Sequence, residues 1–262
     1  GALYIGSRSG LCKLQGKRIE PLNEINALLP NPYVTALAEA SDGDLLIGTK
    51  SGLLRVNPKN HKDATVINGL PDNYINVIVA EGGTNFWVGT EGGLAYLTKE
   101  SIQIFTQKDG LPDNAVHALH LSQNGNLWIG TPKGLVNLEN HRISVYNVGN
   151  GLPDDIIAAL QEDNQGGLWI GAEGGLARFE GKRFTCYSTQ HGIFRLARQD
   201  SLPESWLQVC ALPKTSQDGV IYTGLFIDIS KRMSGALTDV DIASQKEYHF
   251  SILKQLLFQL IA

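Results

Sequence analysis

The sequence predicts a mainly β protein built from stacked copies of one short unit. Three observations predict it. The tetrapeptide Gly-Leu-Pro-Asp recurs at Gly69–Asp72, Gly110–Asp113 and Gly151–Asp154, 41 residues apart each time, and Leu29-Pro30 is a weaker copy. A second marker, [Ile/Val]-Gly-[Thr/Ser/Ala] followed by Gly-Leu, recurs with its first glycine at Gly6, Gly48, Gly89, Gly130 and Gly171. Glycine supplies 29 of 262 residues. That is above the usual ~7% and is what many tight turns require.

Each unit divides into four short strands. In the copy best preserved, Val116–Leu121 is apolar and half-alternating, and Asn124-Gly125 turns the chain into Leu127–Gly130. Pro132–Gly134 turns it into Leu135–Leu138, and Asn140-His141 leads to Ile143–Tyr146. Strands of this length joined by Gly/Asn turns are hairpin chemistry. Four of them per repeat match one blade of a β-propeller. A blade cannot bury its own faces, so neighbours stack. Residues 1–192 therefore hold four full four-stranded blades and a partial one at the N-terminal end.

The residues that repeat suit scaffold. Glycine beside Leu-Pro permits a positive φ, and proline fixes the next residue of the turn. Trp87, Trp128 and Trp169 share one column with Leu46 and Tyr4, and suit packing between blades. Phe105, Tyr146 and Tyr187 share another. Cys186 stands in the column of Ile104 and Val145 and is expected to be a small core residue.

The register breaks near residue 193, where Phe194 replaces the expected proline. Residues 193–233 contain three candidate strands, Phe194–Arg198, Trp206–Leu212 and Val220–Ile229. An amphipathic helix is expected over 239–262, with Tyr248, Ile252, Leu256 and Leu260 on one stripe. It could pack on the strands or pair two copies as a homodimer.

Charge and motifs narrow the function. The 22 Lys+Arg against 26 Asp+Glu give a net charge of −4, without the basic footprint of a nucleic-acid binder. No apolar run approaches the ~18 residues of a membrane span. Cys12, Cys186 and Cys210 show neither metal nor disulfide spacing. No catalytic motif, cofactor loop or metal set is evident. His117 and His120, three apart on a strand, face opposite sides. Residue 1 is Gly, and the chain is expected to be a fragment.

The stretch GLPDNAVHALHLSQNGNLWIGTPKGLVNL (Gly110–Leu138) resembles the two-component-regulator propeller repeat. The resemblance covers about residues 1–192. It implies the sensor region of a signalling protein of the hybrid histidine kinase or diguanylate cyclase type, which binds a ligand and does no chemistry. The segment ending Asp228-Ile229-Ser230-Lys231-Arg232 resembles the C-terminal half of a PAS domain. The propeller resemblance implies a periplasmic location and the PAS-like tail a cytoplasmic one.

Ligand recognition should fall on residues that vary between blades. These are the loop after each Leu-Pro and the strand that follows. Asn73, Tyr74, Asn76, Asn114, His117 and Asp155 are the candidates for contact with a small molecule or glycan. The bland alternative is turn-forming Asn/Asp and satisfied polar side chains. Two other functions remain open. One is a protein-interaction scaffold, a closed five-bladed ring in which Trp206–Leu212 pairs with Leu3–Gly6. The other is a propeller enzyme, a lyase or glycan hydrolase, which would need convergent acids or a metal cluster at the channel mouth; the nearby acids Glu39, Glu81 and Asp163 are scattered in register.

Overall fold

A computed structural model describes residues 3–16, 18–140, 142–163, 165–180 and 183–187, together with the backbone of 206–209 and 225–228. The chain divides into two units, Gly1–Arg195 and Leu196–Ala262. The first unit is a succession of antiparallel meanders. Blade 1 has three strands, β1 (Leu3–Ser7), β2 (Gly10–Gln15) and β3 (Arg18–Pro21). A single helical turn, α1 (Asn23–Asn26), follows. Blade 2 comprises β4 (Val34–Glu39), β5 (Leu45–Thr49), β6 (Gly52–Asn57) and β7 (Asn60–Ile67). Blade 3 comprises β8 (Ile75–Gly82), β9 (Asn85–Thr90), β10 (Leu94–Leu97) and β11 (Ile102–Phe105). Blade 4 is β12 (Ala118–Leu121), β13 (Leu127–Thr131), β14 (Gly134–Glu139) and β15 (Arg142–Tyr146). Blade 5 is β16 (Ile157–Glu162), β17 (Leu168–Ala172), β18 (Gly175–Glu180) and β19 (Arg183–Tyr187).

The repeat register explains the missing strand. Gly6 and Gly10 align with Gly48 and Gly52, so β1 to β3 correspond to the second to fourth strands of a full blade. The first strands β4, β8, β12 and β16 pack side by side from blade to blade. The tryptophan column does pack between blades. Leu46 of blade 2 is buried with Ile75, Ile78, Phe86 and Val88 of blade 3. Trp87 joins Val116, Leu119 and Ile129 of blade 4, and Trp128 joins Ile157, Leu168 and Ile170 of blade 5.

The glycine of the Ile-Gly-Thr marker has a steric role. A Cβ at Gly6, Gly48, Gly89 or Gly130 would meet a side-chain carbon of Val34, Ile75, Val116 or Ile157 at 2.6, 2.6, 2.6 or 2.7 Å. The first strand of each following blade thus seats a β-branched side chain in a notch that only glycine leaves open. The threonine beside it closes the next turn. Thr49, Thr90 and Thr131 are fully buried. Each hydroxyl donates to the carbonyl three residues on, at 2.8 Å, and accepts the N–H two residues on.

One packing expectation is corrected. Cys186 is exposed, as are Ile104 and Val145 in the same column, because all three lie on the outermost strands. Phe105 and Tyr146 instead pack beneath the tryptophans of their own blades, with ring centroids 5.8 and 6.0 Å from Trp87 and Trp128.

In the second unit, β20 (Trp206–Val209) pairs antiparallel with β21 (Leu225–Asp228). These fall within two of the three strands expected there. The strand expected at Phe194–Arg198, the PAS-like remnant as a whole and the helix over 239–262 lie outside the described residues. Among the described residues no helix is long and apolar enough to cross a membrane.

Candidate functional site

Two kinds of connection meet at one end of the blades: the Leu-Pro-Asx loop entering each first strand, and the turn between the second and third strands. Asn31 of the loop donates to Ser51 of the turn at 3.1 Å. A Cβ on Gly92 or Gly174 of the turn would strike the carbonyl of Pro71 or Pro153 at 2.6 Å. The loop itself is held by Asx turns. Asn31, Asp72, Asp113 and Asp154 each accept the N–H two residues on, at 2.7 to 3.0 Å. Gly69, Gly110 and Gly151 take φ of 86°, 107° and 107°, as the sequence required.

The first strands then bulge at one shared position. Register shifts between Val34 and Ala36, Ile75 and Val77, and Ile157 and Ala159. The extra residues are Thr35, Asn76 and Ala158, the column that the sequence marked with His117. A bulge re-aims the side chain it carries.

The six candidates separate into two groups. Asn114 and Asp155 are turn residues. The Asn114 Oδ1 accepts from the Gln107 N–H at 2.8 Å, and the Asp155 Oδ1 from the Val148 N–H at 2.7 Å. Each ties its loop to the short 3-10 turn before it, Gln107–Asp109 or Val148–Asn150. Asn73 occupies the same column in blade 3 but is exposed. There β7 runs on to Ile67 in place of the 3-10 turn.

Tyr74 and Asn76 lie in the loop and first strand of blade 3. Asn76 donates its side-chain N–H to Glu91 at 2.9 Å. The Tyr74 ring lies 5.5 Å from the Lys50 ammonium of the blade before. His117 is half-buried on the first-strand side of blade 4, its N–H bonded to the Gly130 carbonyl at 2.8 Å. His120 points elsewhere, to Glu162 of blade 5 at 3.2 Å.

The structure adds residues that the sequence reading left out. Lys50 sits 4.1 Å from the Tyr33 ring centroid, and Arg8 lies 5.5 Å from the same ring. Arg8, Tyr33, Lys50 and Tyr74 thus form a cation–aromatic ladder across blades 1 to 3. A signal for it exists in the sequence. Arg8, Lys50, Glu91, Pro132 and Glu173 share one column, directly after the Ile-Gly-Thr marker, and vary in charge from blade to blade.

Glu81 and Asp163 are engaged within their own blades. Glu81 binds the Trp87 indole at 3.3 Å and the Tyr96 hydroxyl of its own blade. Asp163 is enclosed in blade 5. Burial raises its carboxyl, but bonds from Arg178, the Gly167 and Gln165 N–H groups and the Trp169 indole outweigh this and hold it at about 2. Glu39 is exposed. Among the described residues no group of three His, Cys, Asp or Glu side chains could hold a metal ion.

Comparison with known proteins agrees with this architecture. Residues 28–51, 110–133 and 151–174 match the family described as the two component regulator propeller. It resembles the extracellular domain of a hybrid two-component system from B. thetaiotaomicron, with a TM-score of 0.64 and 25% identity over 74% of this chain. The chain spans 28% of that domain's length. The virginiamycin B lyase of Staphylococcus aureus is similar at a TM-score of 0.56 and 15% identity, over 72% of this chain and 67% of the lyase. PorZ, a surface component of the type-IX secretion system of Porphyromonas gingivalis, is similar at 0.56 and 13%, over 72% of this chain and 32% of PorZ. The last two likenesses concern the fold alone. No curated protein matches the chain.

Proposed function

We propose that the blades form the ligand-recognition region of a bacterial two-component-type signalling protein, acting outside the cytoplasmic membrane without chemistry of its own. The observation that carries this reading is the repeat itself, matched in three blades, beside the structural likeness to the extracellular domain of a hybrid two-component system. The division of labour within each repeat supports it. Residues constant between blades serve packing and turns, while those that vary gather at the loop end. The acids Glu81 and Asp163 are tied within their own blades. Residues 193–233 and the helix expected from the sequence over 239–262 would pass the signal on as a population shift, through a pair of copies.

Differential scanning fluorimetry against a panel of mono- and oligosaccharides and small acids tests this. A ligand that binds only the folded protein raises Tm, and Tyr74→Ala should abolish the rise. A panel without any shift defeats the sensor reading. Chromatographic detection of ligand turnover defeats its non-enzymatic part.

A further inference from the structure

We infer that the ladder Arg8–Tyr33–Lys50–Tyr74 is a subsite for a carboxylate or sulfate group carried on a small ring-shaped ligand. This rests on the ligand-recognition reading above and names its chemistry. Lys50 and Arg8 are exposed, and neither makes an ion pair with a described carboxylate. The Tyr33 ring stands beside both cations, and the Tyr74 ring lies 5.5 Å from Lys50. Aromatic faces hold the cations in place, leaving their outward N–H groups to an anion. The exposed parts of the same rings suit the C–H face of a saturated ring.

Comparison of neighbouring blades sharpens the case. In blade 3 the bulge residue and the turn residue satisfy each other, Asn76 to Glu91 at 2.9 Å. Blade 2 carries Thr35 and Lys50 at those two positions. Among the described residues the buried Thr35 hydroxyl has no hydrogen-bond partner and Lys50 has no carboxylate partner. At these two positions, therefore, blade 2 keeps an unused hydroxyl and a positive charge where blade 3 has a satisfied pair. The column turns acidic at Glu91 and Glu173.

Calorimetric titration of the 262-residue protein with trigalacturonate and with neutral galactotriose tests the inference. Trigalacturonate should bind, more weakly as salt rises, and galactotriose should not. Lys50→Met keeps the apolar stem and should weaken binding at least about tenfold. Lys59→Met, at the opposite end of β6, should leave it unchanged. Retention of trigalacturonate affinity within about twofold in Lys50→Met overturns the assignment. So does absence of trigalacturonate binding at millimolar concentration. Equal binding of both sugars, lost in Tyr74→Ala but kept in Lys50→Met, overturns the anion while the recognition reading stands. That reading fails only if no member of the wider panel binds.

Discussion

Alanine at Gly130 should destabilise the protein through a single contact, and a double-mutant cycle can isolate it. The φ of Gly130 lies outside the left-handed region, so alanine is allowed by the backbone and the effect is purely steric. Its Cβ would stand 2.7 Å from Ile157 Cγ2 and 3.1 Å from the Cβ atoms of Ile157 and Ala118. Ile157 is fully buried and β-branched, so it has little rotamer freedom with which to withdraw. Overpacking of this kind costs about 1–3 kcal/mol. Ile157→Ala alone should cost about 2–5 kcal/mol by cavity formation. With both changes the short contact to Cγ2 disappears, so the double variant should resemble Ile157→Ala alone. The coupling is then favourable by about 1–3 kcal/mol, roughly the whole cost of the first substitution. Urea titration followed by tryptophan fluorescence measures it, with Trp128 in the same buried cluster as reporter. Additivity within about 0.5 kcal/mol would refute the notch as the reason for this glycine column.

Other parts of the repeat give further expectations. Asp163 has a folded-state carboxyl at about 2 against 3.8 unperturbed. Its contribution is therefore present above pH ~4 and lost as pH falls towards 2; Asp163→Asn should remove about 2 kcal/mol of acid-dependent stability loss in denaturation curves taken across that window. Thr90→Val removes two hydrogen bonds of the turn, the buried donation to the Gly93 carbonyl at 2.8 Å and the bond accepted from the half-buried Gly92 N–H at 3.1 Å. It should cost about 1–3 kcal/mol in the same assay, with Thr90→Ser largely restoring stability; equal losses in both would point to the methyl group instead.

Much of this architecture is legible in the linear sequence because the information is local or periodic. The Asx turns at Asp72, Asp113 and Asp154 close over two residues, so residue type and spacing suffice. The tryptophan column announces packing between blades because a large apolar side chain recurs at one place. Cys186 shows where this logic fails. Its column alternates correctly, but exposure depends on lying in the outermost strand. Asn114 and Asp155 fail for another reason. They look variable and polar, as ligand contacts would, yet each serves a 3-10 turn seven residues upstream. The bulge at Thr35, Asn76 and Ala158 leaves no mark in the hydrophobic pattern, since one extra residue is absorbed without changing the repeat length.

The sequence by itself determined the repeat, its four strands, its turns and the constant residues that hold blade to blade. Those features rest on short-range backbone chemistry and on period, both written along the chain. Only the tertiary structure decided which variable residues meet. Lys50 reaches Tyr33 of its own blade and Tyr74 of the next. Such a meeting depends on how neighbouring sheets pack, to which the seating of Ile75 in the notch at Gly48 and the buried cluster around Leu46 contribute, and no spacing in the sequence states it.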